Sequence, residues 1–261
     1  MVNLILEDIN EKLDLSINPS NIEQLTNGTS SSSVFKVDQC LVKTFDENVF
    51  NSYLEFFRVY DEVYFQKILC YSKELSYICF KFIEGDALQS NSLNLKEIPE
   101  IIYYIVSNYK KYNRSTYGYL GEKKYDSWTD FLRDRAYKKS KFDIDYSKLD
   151  KALTVIDHYD IPKFLLHGDL GVHNTIVNNG RLSIIDPRPI VGDNLYDFYY
   201  YILSNPMIFQ NLNLNDVLEF FDRPYEYKKA LMTVCLYIYI NRSFRFDKAN
   251  HFIYKKYLEI F

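Results

Sequence analysis

The sequence predicts an α+β protein in two parts, and three observations carry that reading. Short runs rich in β-branched and aromatic residues crowd the first third of the chain. Helical spacing of apolar residues dominates the remaining two thirds. Glu84-Gly85-Asp86 breaks the pattern between them. The predicted division is residues 1–84, an antiparallel β lobe with one helix, and residues 85–261, a mostly helical lobe. A chain of 261 residues can bury a substantial core in such a pair.

Ile22–Thr26, Val34–Val37 and Cys40–Phe45 read as strands, joined through Asn27-Gly28-Thr29-Ser30 and then through Asp38-Gln39. Asp46-Glu47-Asn48 offers a cap for a helix from about Val49 to Tyr60. Strands are expected near Gln66–Tyr71 and Leu75–Ile83. Beyond the break, helices are expected near Leu95–Tyr112, Trp128–Tyr137, Tyr146–Tyr159 and Leu195–Leu203, with several more after Leu214. In the third of these, Leu149, Leu153 and Ile156 share one face. Pro162 ends it.

Composition excludes some functions. Hydrophobic residues make up 47% and charged residues 25%, with a net charge of −4, so no global basic field invites nucleic acid or an anionic membrane. The 25 Tyr and 19 Phe read first as core filling in a glycine-poor chain. Cys40, Cys70, Cys79 and Cys235 form no C-x-x-C pair and fit reduced thiols of a cytoplasmic protein. The N-terminus lacks the features of a signal peptide, and the apolar run Leu231–Ile240 is too short for the ~20 residues of a membrane span.

The chemistry concentrates in residues 165–189, LLHGDLGVHNTIVNNGRLSIIDPRP. Thr175-Ile176-Val177 and Leu182-Ser183-Ile184-Ile185 flank Asn179-Gly180, which is a hairpin signal that brings polar residues at its two ends together. Asn174 follows Asp169 by five positions, and Asp186 follows Asn174 by twelve. A carboxylate at the end of a loop can take a proton from a hydroxyl, while an amide oxygen and a second carboxylate are hard donors suited to Mg²⁺. Such a set suits phosphoryl transfer, which depends on positioning and charge neutralisation.

His167-Gly168-Asp169-Leu170-Gly171-Val172-His173-Asn174 resembles the H-G-D-x-x-x-x-N loop of the aminoglycoside phosphotransferase and choline kinase-like family, in the protein kinase-like superfamily. Ile185-Asp186-Pro187 is similar to that family's I-D-[PWF] metal motif. Gly192-Asp193-Asn194-Leu195-Tyr196-Asp197 is similar to its G-D-P-x-x-D-L segment. The resemblance implies a bilobal protein kinase-like fold and a Mg²⁺-dependent transfer of the γ-phosphate of ATP or GTP to a small-molecule hydroxyl. It makes Asp169 the catalytic base or hydroxyl-orienting group, Asn174 and Asp186 the Mg²⁺ ligands, His167 a brace for the backbone and Asp197 a buried anchor. Asp193 becomes a candidate substrate contact. His173 occupies a variable position and carries no role.

The same resemblance extends upstream. Leu41-Val42-Lys43-Thr44-Phe45 looks like the strand whose lysine holds the nucleotide phosphates, and Glu55 matches the helix glutamate that pairs with it, ahead of Glu62. Phe80-Lys81-Phe82-Ile83-Glu84-Gly85 resembles the hinge, where the backbone of Phe82 and Ile83 would meet the base. The phosphate loop departs from the kinase pattern: Asn27-Gly28-Thr29-Ser30-Ser31-Ser32-Ser33 has one glycine, leaving Gly28, Ser30 and Ser31 as phosphate-binding candidates. The resemblance spans roughly Ile22–Leu203.

Other readings fit less well. A zinc hydrolase using His167, Asp169 and His173 lacks zinc-type ligand spacing and leaves Asn174 and Asp186 unexplained. A catalytically silent nucleotide-binding module would have lost Lys43, Asp169, Asn174 or Asp186, and all four are present. A protein kinase needs an activation segment, for which Pro187–Tyr196 leaves no room. Among acceptors an aminoglycoside type is favoured, with Asp143, Asp145, Glu219, Asp222 and Glu226 available to a polycation. Choline or ethanolamine would want an aromatic box, for which Tyr199, Tyr200, Tyr201, Tyr237 and Tyr239 are candidates. Homoserine and sugars stay open.

Overall fold

The computed structural model of the chain describes residues 1–25, 33–60, 64–88, 97–137, 145–209, 212–246 and 248–261. The loop candidates Gly28, Ser30 and Ser31, and also Glu62 and Asp143, lie outside the described residues. Two compact units emerge: residues 1–86 with 175–187, and residues 87–174 with 188–261. The first unit therefore differs from the expected 1–84 chiefly by claiming the hairpin of residues 175–187.

In the first unit, β1 (Ile22–Gln24), β2 (Val34–Val37), β3 (Cys40–Thr44), β4 (Ile68–Ser72) and β5 (Tyr77–Lys81) form an antiparallel sheet in the order β1-β2-β3-β5-β4. Successive side chains on a strand point to opposite faces. On β5, Tyr77 and Cys79 face one side and Ile78 and Phe80 the other, yet all four are buried, because helices cover both faces. One cover is α1 (Val2–Leu13), whose Ile5, Leu6 and Ile9 join Phe35, Val37, Cys40, Val42, Tyr77 and Cys79 in one core. Each such aliphatic side chain contributes about 1.5–3 kcal/mol on burial. This helix corrects the expectation of a lobe with one helix. Its Ile5, Leu6 and Ile9 form a helically spaced apolar stripe in the sequence, the local signal for it.

The other cover is α2 (Glu47–Val59), with Asp46 at its N-cap position. Its Phe57 ring lies 5.2 Å from Phe80, and Phe56 stacks edge-on with Phe65 at the same distance. The four cysteines are free thiols.

The hairpin of the first unit pairs β9 (Thr175–Asn178) with β10 (Arg181–Ile184), Asn178 opposite Arg181. Asn179 and Gly180 both take positive φ, 49° and 77°, which matches the two-residue turn an Asn-Gly pair favours. Ile184 N donates to Tyr64 O, and Gln66 N donates to Ile184 O, which fastens the hairpin to the segment before β4. The short strand β6 (Asp86–Ala87) completes a three-stranded sheet beside β9. Gly85 before it has φ 138°, and a Cβ there would sit 2.4 Å from Val177 O, so only glycine fits.

The second unit holds α3 (Ile98–Ser107), β7 (Gly118–Tyr119), α4 (Trp128–Ala136), α5 (Ser147–Asp157), β8 (Phe164–Leu166), β11 (Ile190–Gly192), α6 (Asn194–Leu203), the short α7 (Pro206–Phe209) and α8 (Leu214–Val217), α9 (Tyr225–Phe246) and α10 (Lys248–Ile260). Its small sheet has the order β7-β11-β8. Every residue of α6 is buried, and the middle of α9, Leu231–Ile240, is buried throughout. Both need apolar residues all round because α9 packs against α4, α5, α6 and α10. Among the described residues, no helix is long and apolar enough to cross a membrane.

Candidate active site

The loop after β8 carries His167, Gly168 and Asp169. Gly168 has φ 79°, and a Cβ on it would come within 2.1 Å of Arg188 O. That close approach explains the glycine between the histidine and the aspartate. Arg188 N donates to His167 O at 2.8 Å, so the loop is stitched to the segment before β11. Beneath it lies Asp197 of α6, with no solvent exposure. Gly168 N donates to both of its carboxylate oxygens at 3.1 Å, and Tyr109 Oη donates to Oδ2 at 3.1 Å. Burial pushes the Asp197 carboxyl up to about 7, against the hydrogen bonds from Gly168, Tyr109 and the His167 backbone. His167 is itself fully buried.

Asn174 ends the loop, and its Nδ2 donates to Asp169 O at 2.9 Å. With the amide nitrogen committed to the backbone, Oδ1 is the face left for a cation. Asp169 Oδ1 accepts from Tyr200 Oη at 2.9 Å and from Arg242 Nη1 at 3.2 Å. Arg242 Nη1 also meets Tyr200 Oη. Oδ2 is held more loosely, with His173 Nε2 at 3.4 Å. Burial alone would raise the Asp169 carboxyl. The His173 hydrogen bond and the charges of Arg242, His173 and Arg135 outweigh burial and hold it well below the usual carboxylate range. Burial and the Asp169 charge push the Tyr200 phenol up to about 12, so it remains a donor at neutral pH.

Behind Tyr200 lies Arg135 of α4. It donates to Tyr196 Oη at 2.9 Å and to Tyr119 Oη, and its guanidinium lies 5.6 Å from the Tyr200 ring centroid. Arg188 stacks 4.0 Å over Tyr119 and pairs with Glu122 at 3.1 Å.

In the first unit, Lys43 of β3 donates to Tyr53 Oη at 3.0 Å and pairs with Asp186 Oδ1, which Tyr53 Oη also reaches. The α2 group that meets the ammonium is thus Tyr53, where Glu55 was expected. Glu55 is two positions further on, and that step turns it about 200° around the helix. Asp186 has φ 57°, a left-handed conformation that costs about 1–2 kcal/mol for a residue with a Cβ and that aspartate tolerates better than most. Lys43 and Tyr53 both meet Oδ1, and the Asp186 side chain is 49% exposed, while Oδ2 makes no hydrogen bond among the described residues. At the hinge, Phe82 N donates to Gln39 O at 2.8 Å while Lys36 lies 4.2 Å from its ring centroid. The Phe82 N–H is therefore spent within the sheet, and Ile83 makes no hydrogen bond among the described residues.

Asp193 corrects an expectation. It is fully buried at the N-cap of α6, accepting from Leu195 N at 3.2 Å and from Tyr227 Oη at 2.6 Å. Burial raises its carboxyl, against the Tyr227 hydrogen bond and the Arg223 charge. A group so enclosed caps a helix and does not reach a substrate. The five tyrosines considered for an aromatic box are core residues, each at most 4% exposed. Asp145 accepts from Ser147 N and Ser147 Oγ, and Glu219, Asp222 and Glu226 are exposed on the surface.

The sequence reading passed over Arg242 and Arg135, gave His173 no role and weighed Tyr200 only for an aromatic box. A signal existed for one of them: Arg135 falls on the same stripe of α4 as Trp128, Phe131 and Leu132, and a cation on an apolar stripe calls for a partner. Among the described residues, no three His, Cys, Asp or Glu side chains gather as a metal cluster.

No family model and no curated protein matches the chain. Solved structures do. A thermostable mutant of aminoglycoside phosphotransferase APH(4)-Ia, in a ternary complex with ADP and hygromycin B, aligns over 97% of this chain and 96% of its own, at 18% identity and a TM-score of 0.60. A putative fructosamine-3-kinase from Haemophilus somnus 129PT covers 98% and 95%, at 13% identity and a TM-score of 0.64. Choline kinase LicA from Streptococcus pneumoniae covers 100% and 99%, at 14% identity and a TM-score of 0.61. With its antiparallel first unit and helical second unit, the chain has the protein kinase-like fold that these aminoglycoside, fructosamine and choline kinases share.

Proposed function

We propose that the chain is a phosphotransferase that moves the γ-phosphate of ATP or GTP to a hydroxyl of a small molecule. The observation that carries the reading is the His167–Asn174 loop. Its asparagine is locked by Nδ2 onto Asp169 O, its aspartate is anchored through one oxygen, and Asp197 fixes the glycine between. The ADP bound by one structural neighbour supports a nucleotide as donor.

Each residue has a role. Lys43 neutralises the nucleotide's α- and β-phosphates, oriented by Tyr53 and Asp186. Ile83 offers backbone groups to the base. Asn174 Oδ1 and Asp186 Oδ2 are each hard oxygens of the kind that Mg²⁺ takes. When bound, Mg²⁺ supplies neutralisation of charge on the phosphate oxygens. Asp169 Oδ2 accepts a hydrogen bond from the acceptor hydroxyl and aims its oxygen at phosphorus. With its pKa held low, Asp169 is ionised at neutral pH and a weak base, so it orients the hydroxyl first. It takes the proton only as the new O–P bond forms, which suits a loose transition state.

The aminoglycoside-type acceptor expected from the sequence receives less support than the transfer itself. The acidic residues that would have met a polycation are surface groups or lie outside the described residues.

The test is thermal unfolding with Mg²⁺–ATP and Mg²⁺–GTP, followed by assay of nucleoside diphosphate release across hydroxylated acceptors. A ligand of the native state raises the melting temperature by mass action. A metal-dependent shift with diphosphate release is the expected result. No shift with either nucleotide overturns the proposal.

A further inference from the structure

Two guanidinium groups and an imidazole lie around the carboxylate given the catalytic role. Arg242 touches it, Arg135 lies behind Tyr200, and His173 flanks Oδ2. The nearby carboxylates are already engaged. Glu122 pairs with Arg188, and Asp197 is fully buried beneath the loop.

Arg135 and Arg242 differ in what they offer. Arg135 is enclosed by the rings and hydroxyls of Tyr119 and Tyr196 and by the ring of Tyr200. Arg242 keeps 36% of its side chain exposed, and Nη1 alone makes its bonds to Asp169 and Tyr200. Among the described residues, its Nη2 and Nε make no hydrogen bond. A guanidinium presents its donors as a planar fork that matches carboxylate and phosphate oxygens in pairs. Half of that fork is engaged and half is left without a hydrogen bond among the described residues, next to the group that addresses the acceptor hydroxyl.

We infer that the acceptor carries an oxyanion, a carboxylate or a phosphate monoester, a few bonds from the hydroxyl that is phosphorylated, and that Arg242 binds it. The inference rests on the phosphotransferase reading of Asp169. Arg242 Nη1 lies 3.2 Å from Asp169 Oδ1, so hydroxyl and oxyanion are separated by only two or three carbons in a ligand that reaches both. A cationic acceptor meets like charge at Arg242 instead. Choline-like and aminoglycoside-like acceptors are therefore disfavoured by the same residue that favours a hydroxy acid.

The experiment compares small probes matched in shape: glycerate and glycerol 3-phosphate as anions, glyceramide as the neutral counterpart and 3-amino-1,2-propanediol as the cation. Binding is read by thermal shift with and without Mg²⁺–ATP, and transfer by ADP release. At least one anion is expected to exceed the neutral probe by about tenfold in kcat/KM, and which anion does so separates carboxylate from phosphate. In Arg242→Gln the anion-over-neutral ratio is expected to fall toward one, carried by KM, and Arg242→Lys is expected to keep part of it. A purely structural arginine would lower use of all probes alike and leave the ratio standing, which overturns the inference. So does equal or better use of the neutral or cationic probe, or no binding of either anion. The ATP shift is scored separately. If it is present while the anions fail, the oxyanion site falls and the phosphotransferase reading stands. If it is absent while an anion binds through Arg242, the phosphotransferase reading falls and takes the acceptor assignment with it, leaving Arg242 as an oxyanion-binding group alone.

Discussion

At Asp169 two demands meet in one side chain. For the proposed transfer, the carboxylate has to stay ionised in a half-enclosed site, and it has to keep an oxygen for the acceptor. Dividing the work between its oxygens meets both, with Tyr200 and Arg242 on Oδ1 and the looser Oδ2 left to the substrate. Asp169→Asn keeps the volume and removes the charge and one acceptor. Turnover is expected to fall by about 10³-fold or more while the Mg²⁺–ATP thermal shift persists, since a group acting in the transition state lowers kcat when lost. A well-folded Asp169→Asn enzyme with undiminished turnover would show that the loop's chemistry lies elsewhere. Lys43, Asp169, Asn174 and Asp186 were legible because their spacing along the chain is itself the pattern. Arg242 was not, since it lies 73 positions from Asp169 and follows an apolar run with no local mark of its partner.

At the scale of elements, most strands and helices were legible from alternation and helical spacing. The Asn179-Gly180 turn is the clearest case, because positive φ at both positions leaves few other residue choices. Boundaries drifted where side chains allowed it. Leu75–Ile83 shortened to Tyr77–Lys81 because a turn takes up Leu75 and Ser76, which has φ 50°. Asp193 was misjudged because an aspartate before a helix reads equally well as a cap and as a site residue. As a cap that also holds Tyr227 Oη, its loss strands a buried hydroxyl and the first amides of α6. Asp193→Ala is expected to cost about 1–3 kcal/mol, which corresponds to about 2–4 °C of melting temperature per kcal/mol in a chain of this size. Asp193→Asn, which retains an acceptor, should lose less. An unchanged melting temperature for Asp193→Ala would refute the capping account.

For the whole molecule, the buried Asp197 links stability to pH. Its folded pKa is raised to about 7 from an ordinary 3.8, so the folded chain binds this proton more tightly than the unfolded chain. The stabilisation is complete below about 4 and is lost as pH rises through about 7, with a slope of at most about 1.4 kcal/mol per pH unit. Asp169, held low, acts in the opposite direction and outside that window, losing its contribution only as pH falls below the ordinary carboxylate value. Asp197→Asn is expected to be less stable throughout, because an amide places a donor among the donors of Gly168, His167 and Tyr109. Its stability should nonetheless decline less than wild type between pH 5 and 8 in denaturant titrations. Parallel pH profiles for the two proteins would exclude Asp197 as the source. The resemblance marked Asp197 as a buried anchor, but its link to pH depends on burial and on partners such as Tyr109, 88 positions away, that the sequence does not show.

The hairpin Thr175–Pro187 belongs with the first 86 residues although 88 others intervene. During synthesis, the amino-terminal unit therefore has no complete form until Pro187 has left the ribosome. Lys43 must wait through 143 further residues for Asp186, and a nascent chain halted before the hairpin would carry the segment before β4 without its last partner.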